Sequence, residues 1–333
     1  MKATDLLEVR DAGLYCPPGG FWIDPVQPVD RALVTHGHGD HCRPGSAHLM
    51  ATAETIAIAQ TRYGADAFAA TQVAEPGEVM RIGDVDVHFA PAGHVLGSAQ
   101  IVVEAGGARA VVSGDYKRAA DPTCAGFEPV ACDLFVTEAT FGLPVFRHPP
   151  VQDELDKLFA SIAAFPERCH VLGVYALGKA QRIMAELRAR GYDRPVWIHG
   201  ALSKLTELYG ELGVDLGPVR QVMAADKAEL AGEIVLAPPS AIQDRWARRL
   251  PDALPVGVSG WMQVRARARQ RRVELPLIVS DHCDWDALCA TIREVGAETV
   301  WVTHGAEEAL VHWCREQGLE ADPLAIAGRG DED

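Results

Sequence analysis

The sequence predicts an α/β protein in which a β-rich domain is interrupted by a second unit of alternating strands and helices. Three observations lead there. Up to about residue 145, short strand-like runs follow one another across turns rich in glycine and proline. From about 150 to 262, amphipathic helical patterns alternate with apolar runs, as in a parallel, doubly wound sheet. The chain then reads as strand, helix, strand, helix.

Each element has its own signal. "GLYCPPGGFWIDP" reads as a hairpin around Pro17-Pro18-Gly19-Gly20, "VMRIGDVDVHFAPAGH" as another around Gly83-Asp84, and "AQIVVEAGGARAVVSGD" as a third around Gly106-Gly107. "TAETIAIAQTRYG" has helical spacing and a glycine stop. In the middle stretch, "VQDELDKLFASIAAF", "KAQRIMAELRARG" and "ALSKLTELYGELG" are amphipathic helices between the apolar runs "CHVLGVYALG", "RPVWIHG" and "GEIVLAPP". "LPLIVSDH" reads as a strand returning to the first domain. A helix "DWDALCATIREVG", a strand "TVWVTHG" and a helix "AEEALVHWCREQG" follow it. The expected boundaries are a first domain over residues 1–148 and 265–325, an insertion over 149–264, and a disordered tail over 326–333.

Bulk composition narrows the classes. The 333 residues are 48% hydrophobic, yet no run approaches ~18 uninterrupted apolar residues, and "MKATDLLEVR" has no apolar signal-peptide core. Membrane insertion and export are not expected. Eight scattered cysteines without a C-x-x-C pair read as reduced, mostly buried thiols of a cytoplasmic protein. A net charge of −15 disfavours nucleic acid as a partner. Against it stands "WMQVRARARQRRVEL", where Arg265, Arg267, Arg269, Arg271 and Arg272 face only Glu274. That stretch is either a phosphate-tracking surface or a solvated helix face.

The chemistry concentrates in "VTHGHGDHCRPG", which places His36, His38, Asp40 and His41 within six positions behind an apolar run. Imidazole and carboxylate are the donors a borderline cation such as zinc prefers. Four ligands so close are easier to divide between two ions than to wrap around one. Further candidates lie beside glycines at strand ends: His94 in "PAGHVLGSA", Asp115 in "VVSGDYK", whose carboxylate could bridge, and His304 in "VWVTHG". Lys117, Arg118, Lys179 and Arg182 are basic residues placed to meet a phosphate, the last two at a helix start that could equally be plain structure.

H-x-H-x-D-H, a later G-H, a later S-G-D and a final strand-end H-G resemble the metallo-β-lactamase superfamily. "VTEATFG", "YALGKAQR", "VSDHCDW" and "VTHG" resemble the signatures of its β-CASP nuclease branch, and "SGDYKRAADPTCAGFEPVACDLFVTEATFGLPVFRHP" resembles the bacterial ligase-associated DNA exonucleases. The likeness runs from about residue 10 to 320. It departs at Gly39, where serine is commoner in the family, a change that removes no ligand.

The resemblance implies an αββα sandwich with an inserted β-CASP-like α/β domain. It implies two divalent ions, Zn2+ and/or Mn2+, one held by His36, His38 and His94 and the other by Asp40, His41 and His304, with Asp115 bridging. Asp40, His282 and Glu138 are the implied catalytic residues, His282 as general acid with Glu138 on its far nitrogen; position alone leaves His282 open as a further ligand. The implied activity is exonucleolytic hydrolysis of DNA, with single strands preferred. Its setting would be bacterial, cytoplasmic DNA repair beside an ATP-dependent DNA ligase and other repair proteins, with no membrane partner. An RNA-processing nuclease of the same branch is the nearest alternative, ahead of a small-substrate metallohydrolase and of a scaffold that binds nucleic acid without cutting.

Overall fold

The computed structural model describes residues 1–324; the tail expected to be disordered, 326–333, lies outside the described residues. Backbone contacts divide the described residues into two compact units, Met1–Arg147 with 282–324, and His148–Asp281.

In the first unit two sheets face each other. Six strands in chain order make one: Glu8–Arg10, Gly13–Cys16, Phe21–Ile23, Arg31–Leu33, His48–Ala51 and Ala70–Val73. Seven make the other, in the spatial order Glu320–Pro323, Thr299–Gly305, Leu134–Ala139, Ala108–Val112, Ala99–Ala105, Val85–Pro91 and Met80–Ile82. Side chains alternate between faces along a strand. Ile101 and Val103 therefore join Leu14, Phe21, Ile23 and Leu33 in the core between the sheets, while Val102 points the other way. On that outer face Val102, Val111, Phe135 and Val300 meet Leu288, Ile292, Leu310 and Val311 from the helices Trp285–Val295 and Glu307–Glu316. The helix Ala53–Tyr63 covers Ala32, Leu49 and Ala51 of the six-stranded sheet through Ile56 and Ala59. The layers run helix, sheet, sheet, helix.

The three expected turns are all present as antiparallel pairs, joining Gly13–Cys16 to Phe21–Ile23, Met80–Ile82 to Val85–Pro91, and Ala99–Ala105 to Ala108–Val112. What positions the site is the parallel part. Ala108–Val112, Leu134–Ala139 and Thr299–Gly305 are parallel neighbours, as are Phe21–Ile23, Arg31–Leu33 and His48–Ala51. Their carboxyl ends hand the chain to the loops that carry the charged residues.

The second unit is one six-stranded parallel sheet in the order Val219–Gln221, Val196–Ile198, Ile234–Ala237, His170–Gly173, Leu254–Val258 and Leu275–Leu277. Helices Val151–Ala164, Lys179–Ala189 and Ser203–Glu211 accompany it. One expectation is corrected here. "LPLIVSDH", expected in the first domain with everything from residue 265, instead supplies a strand paired with Leu254–Val258, and the unit continues to Asp281. A short buried apolar run fits the middle of any sheet, so its composition does not say which one it joins. Among the described residues no helix is long and apolar enough to cross a membrane.

Candidate metal centre

The strand Arg31–Leu33 stops before the first histidine, so His36, His38, Asp40 and His41 come from a loop and not from alternation along a strand. The loop is wound tightly: the amides of His41 and Cys42 both donate to the carbonyl of His38, at 3.2 and 2.8 Å. His94 follows the strand Val85–Pro91 and is fixed by its amide, which donates to Ser98 Oγ at 3.0 Å. Asp115 follows Ala108–Val112. The glycine before it is required, because Gly114 has φ +57° and a Cβ there would stand 2.6 Å from Thr35 Oγ1. His304 sits in the strand Thr299–Gly305, where Thr303 pairs with Glu138 and Gly305 with Ala139. His304 is thus the extra residue of a bulge, at φ +61°, a conformation that re-aims its ring out of the sheet register.

These loops converge. Donor atoms of His36, His38, His94 and Asp115 lie within 4.8 Å of one another, and so do those of Asp40, His41 and His304. Asp115 reaches both groups. Its Oδ2 is 3.4 Å from Nε2 of His36, 3.4 Å from Nε2 of His41 and 3.8 Å from Nε2 of His94, while its Oδ1 is 3.8 Å from Nδ1 of His304. His36, His41 and His94 are almost wholly buried.

One residue of this site carries no signal in the sequence reading. Asp24, fully buried at the turn after Phe21–Ile23, accepts hydrogen bonds from Thr35 N at 2.8 Å and Thr35 Oγ1 at 2.6 Å, and bonds His41 Nδ1 at 2.8 Å. A carboxylate on the outer nitrogen fixes an imidazole so that its other nitrogen faces inward, the arrangement common behind metal-binding histidines. "WIDP" shows only an aspartate before a proline; its left-handed backbone, φ +45°, brings it under the loop.

The electrostatics suit cations. Burial opposes protonation of His41, but Asp115, Asp40 and Asp24 outweigh it and hold the imidazole well above its ordinary range. Burial, reinforced by His41, pushes His36 down to about 4, and burial with His282 and His36 beside it pushes His94 well below its usual value. For Asp115 burial favours the neutral acid, yet His41 and His36 keep the carboxyl well below the usual range. Neutral His36 and His94 beside an ionised Asp115 are the forms that bind metal, and at His41 a cation would supply the positive charge that three carboxylates favour. Among the described residues buried Asp40 Oδ1 and Asp115 Oδ1 make no hydrogen bond, and His41 Nε2 has only the longer contacts to Asp115 and Asp40 at 3.4 and 3.5 Å, although buried polar atoms are nearly always hydrogen-bonded. Divalent cations fit this donor set.

Beside the cluster, His282 Nδ1 lies 2.9 Å from Glu138 Oε2, and Glu138 Oε1 accepts from the amide of Tyr116 at 2.8 Å. Burial raises the Glu138 carboxyl above its ordinary value against the pull of His282. The centroid of the His282 ring is 4.7 Å from that of His94.

The basic residues expected at phosphates divide. Lys117 is buried, its Nζ 2.5 Å from Asp121 and 3.4 Å from the His94 carbonyl, so it braces the His94 loop. Arg118 pairs with Glu294 and donates to Thr291. Lys179 and Arg182 are buried too, on the Asp281 carboxylate at 3.3 and 2.9 Å and on the carbonyls of Val279 and Ser280. The helix start they flank is capped internally, Gly178 N donating to Gln181 Oε1 at 2.9 Å. These partners engage all three side chains within the fold. Arg265 is exposed, and Arg267 stacks 3.6 Å over the Trp261 ring.

No protein-family model matches the chain. Several curated proteins do. A protein named "Probable DNA ligase" from Opitutus terrae is 31% identical over 317 residues, 93% of this chain and 30% of that protein. "Endoribonuclease YSH1" from Kluyveromyces lactis is 32% identical over 125 residues, 36% of this chain and 16% of that protein. An "RNase J-like protein" from Methanocaldococcus jannaschii is 24% identical over 242 residues, 64% of this chain and 58% of that protein. The chain thus spans less than a third of the first two relatives and somewhat over half of the third. A crystal structure of a protein of unknown function from Enterococcus faecalis shares the fold at TM-score 0.57 and 13% identity, over 90% of this chain and 80% of that one. Proteins named as an RNase J-like protein and as an endoribonuclease are thus among its relatives, and the His/Asp donor groups fit a metal-dependent nuclease.

Proposed function

We propose that this protein is a binuclear metal-dependent exonuclease that hydrolyses phosphodiester bonds of DNA, preferring single strands. The observation that supports it best is the conjunction of two buried donor groups sharing Asp115 with a His282–Glu138 pair beside them. His36, His38 and His94 would hold one ion and Asp40, His41 and His304 the other, with Asp115 between. Histidine-rich donors favour zinc, and manganese accepts the same set. Ions held there would supply Lewis acidity toward a phosphate and would lower the pKa of water.

The protein's own residues do the rest. Asp24 holds His41 with Nε2 inward, and Glu138 accepts Nδ1–H of His282, so that His282 Nε2 carries the proton for the departing sugar oxygen. The unit His148–Asp281 is the β-CASP-like insertion in this reading. DNA is favoured over RNA because the relative similar over 93% of the chain is named for a DNA ligase, which also supports a cytoplasmic bacterial repair setting with an ATP-dependent ligase as partner. The RNA-acting names belong to relatives matched over shorter stretches.

Digestion of 5′- and 3′-labelled single-stranded DNA and RNA, with zinc or manganese supplied, tests this. Stepwise release of nucleotides from DNA is expected. Cleavage of RNA alone would move the protein to the RNA-processing nucleases, and hydrolysis of a thioester or lactam without any nuclease activity would remove it from the nucleases.

A further inference from the structure

We propose that the second unit contains a separate pocket for one nucleobase with its phosphate, at the carboxyl ends of its parallel strands. The topology opens a crevice there. The strand His170–Gly173 lies between Ile234–Ala237 and Leu254–Val258. The chain leaves it for Val196–Ile198 on one side, and leaves its neighbour Leu254–Val258 for Leu275–Leu277 on the other. Where connections from adjacent parallel strands depart in opposite directions, ligands bind beyond the strand ends.

A cavity of about 310 Å³ occupies this place, at the small end of the ~300–1,000 Å³ typical of small-molecule sites. Two of its lining positions are glycines: a Cβ on Gly173 would stand 3.0 Å from Ile242 Cδ1, and one on Gly257 2.6 Å from Met262 Sδ. Side chains at either would push the walls inward. Ile242, Met262 and Val273 make those walls apolar, as a flat ring requires, while Tyr175, Ser240 and Gln243 add hydrogen-bonding groups.

Charge identifies the rest of the ligand. Arg271 also lines the cavity, and among the described residues its guanidinium makes no ion pair; its backbone carbonyl accepts from Gln243 Nε2 at 2.6 Å. Around it the stretch 241–272 carries Arg245, Arg248, Arg249, Arg265, Arg267, Arg269, Arg271 and Arg272 against only Asp244 and Asp252, in a chain of net charge −15. An apolar slot with polar groups and an uncommitted guanidinium matches a base joined to a phosphate, and aromatic or apolar platforms beside cations are how single strands are held. The same chemistry arrives either as a released mononucleotide or as one unit of a strand. The choice of ligand rests on the nucleic-acid reading above; the pocket itself does not depend on the metal cluster.

The test is photo-crosslinking and equilibrium dialysis of the full chain with 5-iodo-2′-deoxyuridine 5′-monophosphate, and with a six-nucleotide strand carrying the same base, each with and without a chelator. Binding that survives the chelator, crosslinks in the peptides of Tyr175 or Met262, and weakens at least tenfold in Arg271→Ala and in the rim variant Ser240→Trp is expected. Tighter binding of the hexamer would assign the pocket to a strand; equal binding would assign it to the released nucleotide. Binding abolished by the chelator, or unchanged in Arg271→Ala, overturns the pocket. Either result leaves the nuclease assay of the metal centre to stand or fall separately.

Discussion

Residues 36–41 and residues 179–182 both follow a strand into a buried, charged loop or helix start, and both drew attention as sites of chemistry. They resolve their charge differently. Lys179 and Arg182 meet one carboxylate and two carbonyls of the same segment, Val279 to Asp281. Around His41, three carboxylates surround one imidazole, and among the described residues Asp40 Oδ1, His41 Nε2 and Asp115 Oδ1 stay without hydrogen bonds. Arg182 Nε is also without a hydrogen bond among the described residues, but only the second pattern gathers several imidazole and carboxylate donors within 4.8 Å of one another, and that makes it the demand for a cation.

The largest effect expected is at the shared carboxylate. Asp115→Ala should lower metal content from close to two ions per chain to one or none and abolish cleavage, as elemental analysis and strand digestion would read. Full metal occupancy in that variant would remove the centre from its place in the comparison.

Next comes His282. Losing a general acid costs roughly 10²–10⁴-fold in rate. His282→Ala should retain both metals, lose that much cleavage, and recover on a substrate whose leaving oxygen is replaced by sulfur, since a thiolate departs without a proton. Loss of an ion with no rescue by sulfur would make His282 a ligand instead.

The contrast itself is sharpened by a matched pair of changes. Removing one partner from a buried ion pair costs about 3–5 kcal/mol, because the other charge is stranded. Arg182→Ala should lower unfolding stability by less than that, because Lys179 still faces Asp281 at 3.3 Å, without changing metal content. Asp24→Ala should do the reverse: metal affinity falls ~10–100-fold, as for other carboxylates behind metal-binding histidines, and cleavage returns when metal is added in excess. A metal defect in Arg182→Ala, or normal affinity in Asp24→Ala, would dissolve the distinction.

What was legible in the sequence follows the same physics. The ligands were readable because histidine and aspartate rarely clump behind apolar strands, and the glycines beside them mark the turns that permit it. The three hairpins were readable from their turn residues. Asp24 was not, since its role depends on a left-handed turn and on Thr35, eleven residues away. Nor was the burial of Lys117 and Lys179, whose fate is set by Asp121 and Asp281 across folded loops. Leu275–Leu277 pairs with Leu254–Val258, a neighbour that an apolar run does not name.

The smallest effect separates exposed cations from committed ones. Arg265 is exposed and Arg267 lies over Trp261, a stacked geometry that leaves the guanidinium edge available to phosphate. Each phosphate contact releases counterions, so the slope of log affinity against log salt scales with their number, at about 0.7 per contact for single strands. Arg265→Ala with Arg267→Ala should flatten the slope for a single-stranded oligonucleotide by between ~1 and ~2, leaving metal content and cleavage of a saturating substrate unchanged. Arg182→Ala, its charge already spent on Asp281, should leave the slope as it is. If the double variant keeps the wild-type slope, the arginines from 265 to 272 are a solvated face of the helix. The exposed cations would then be as silent toward nucleic acid as the buried ones.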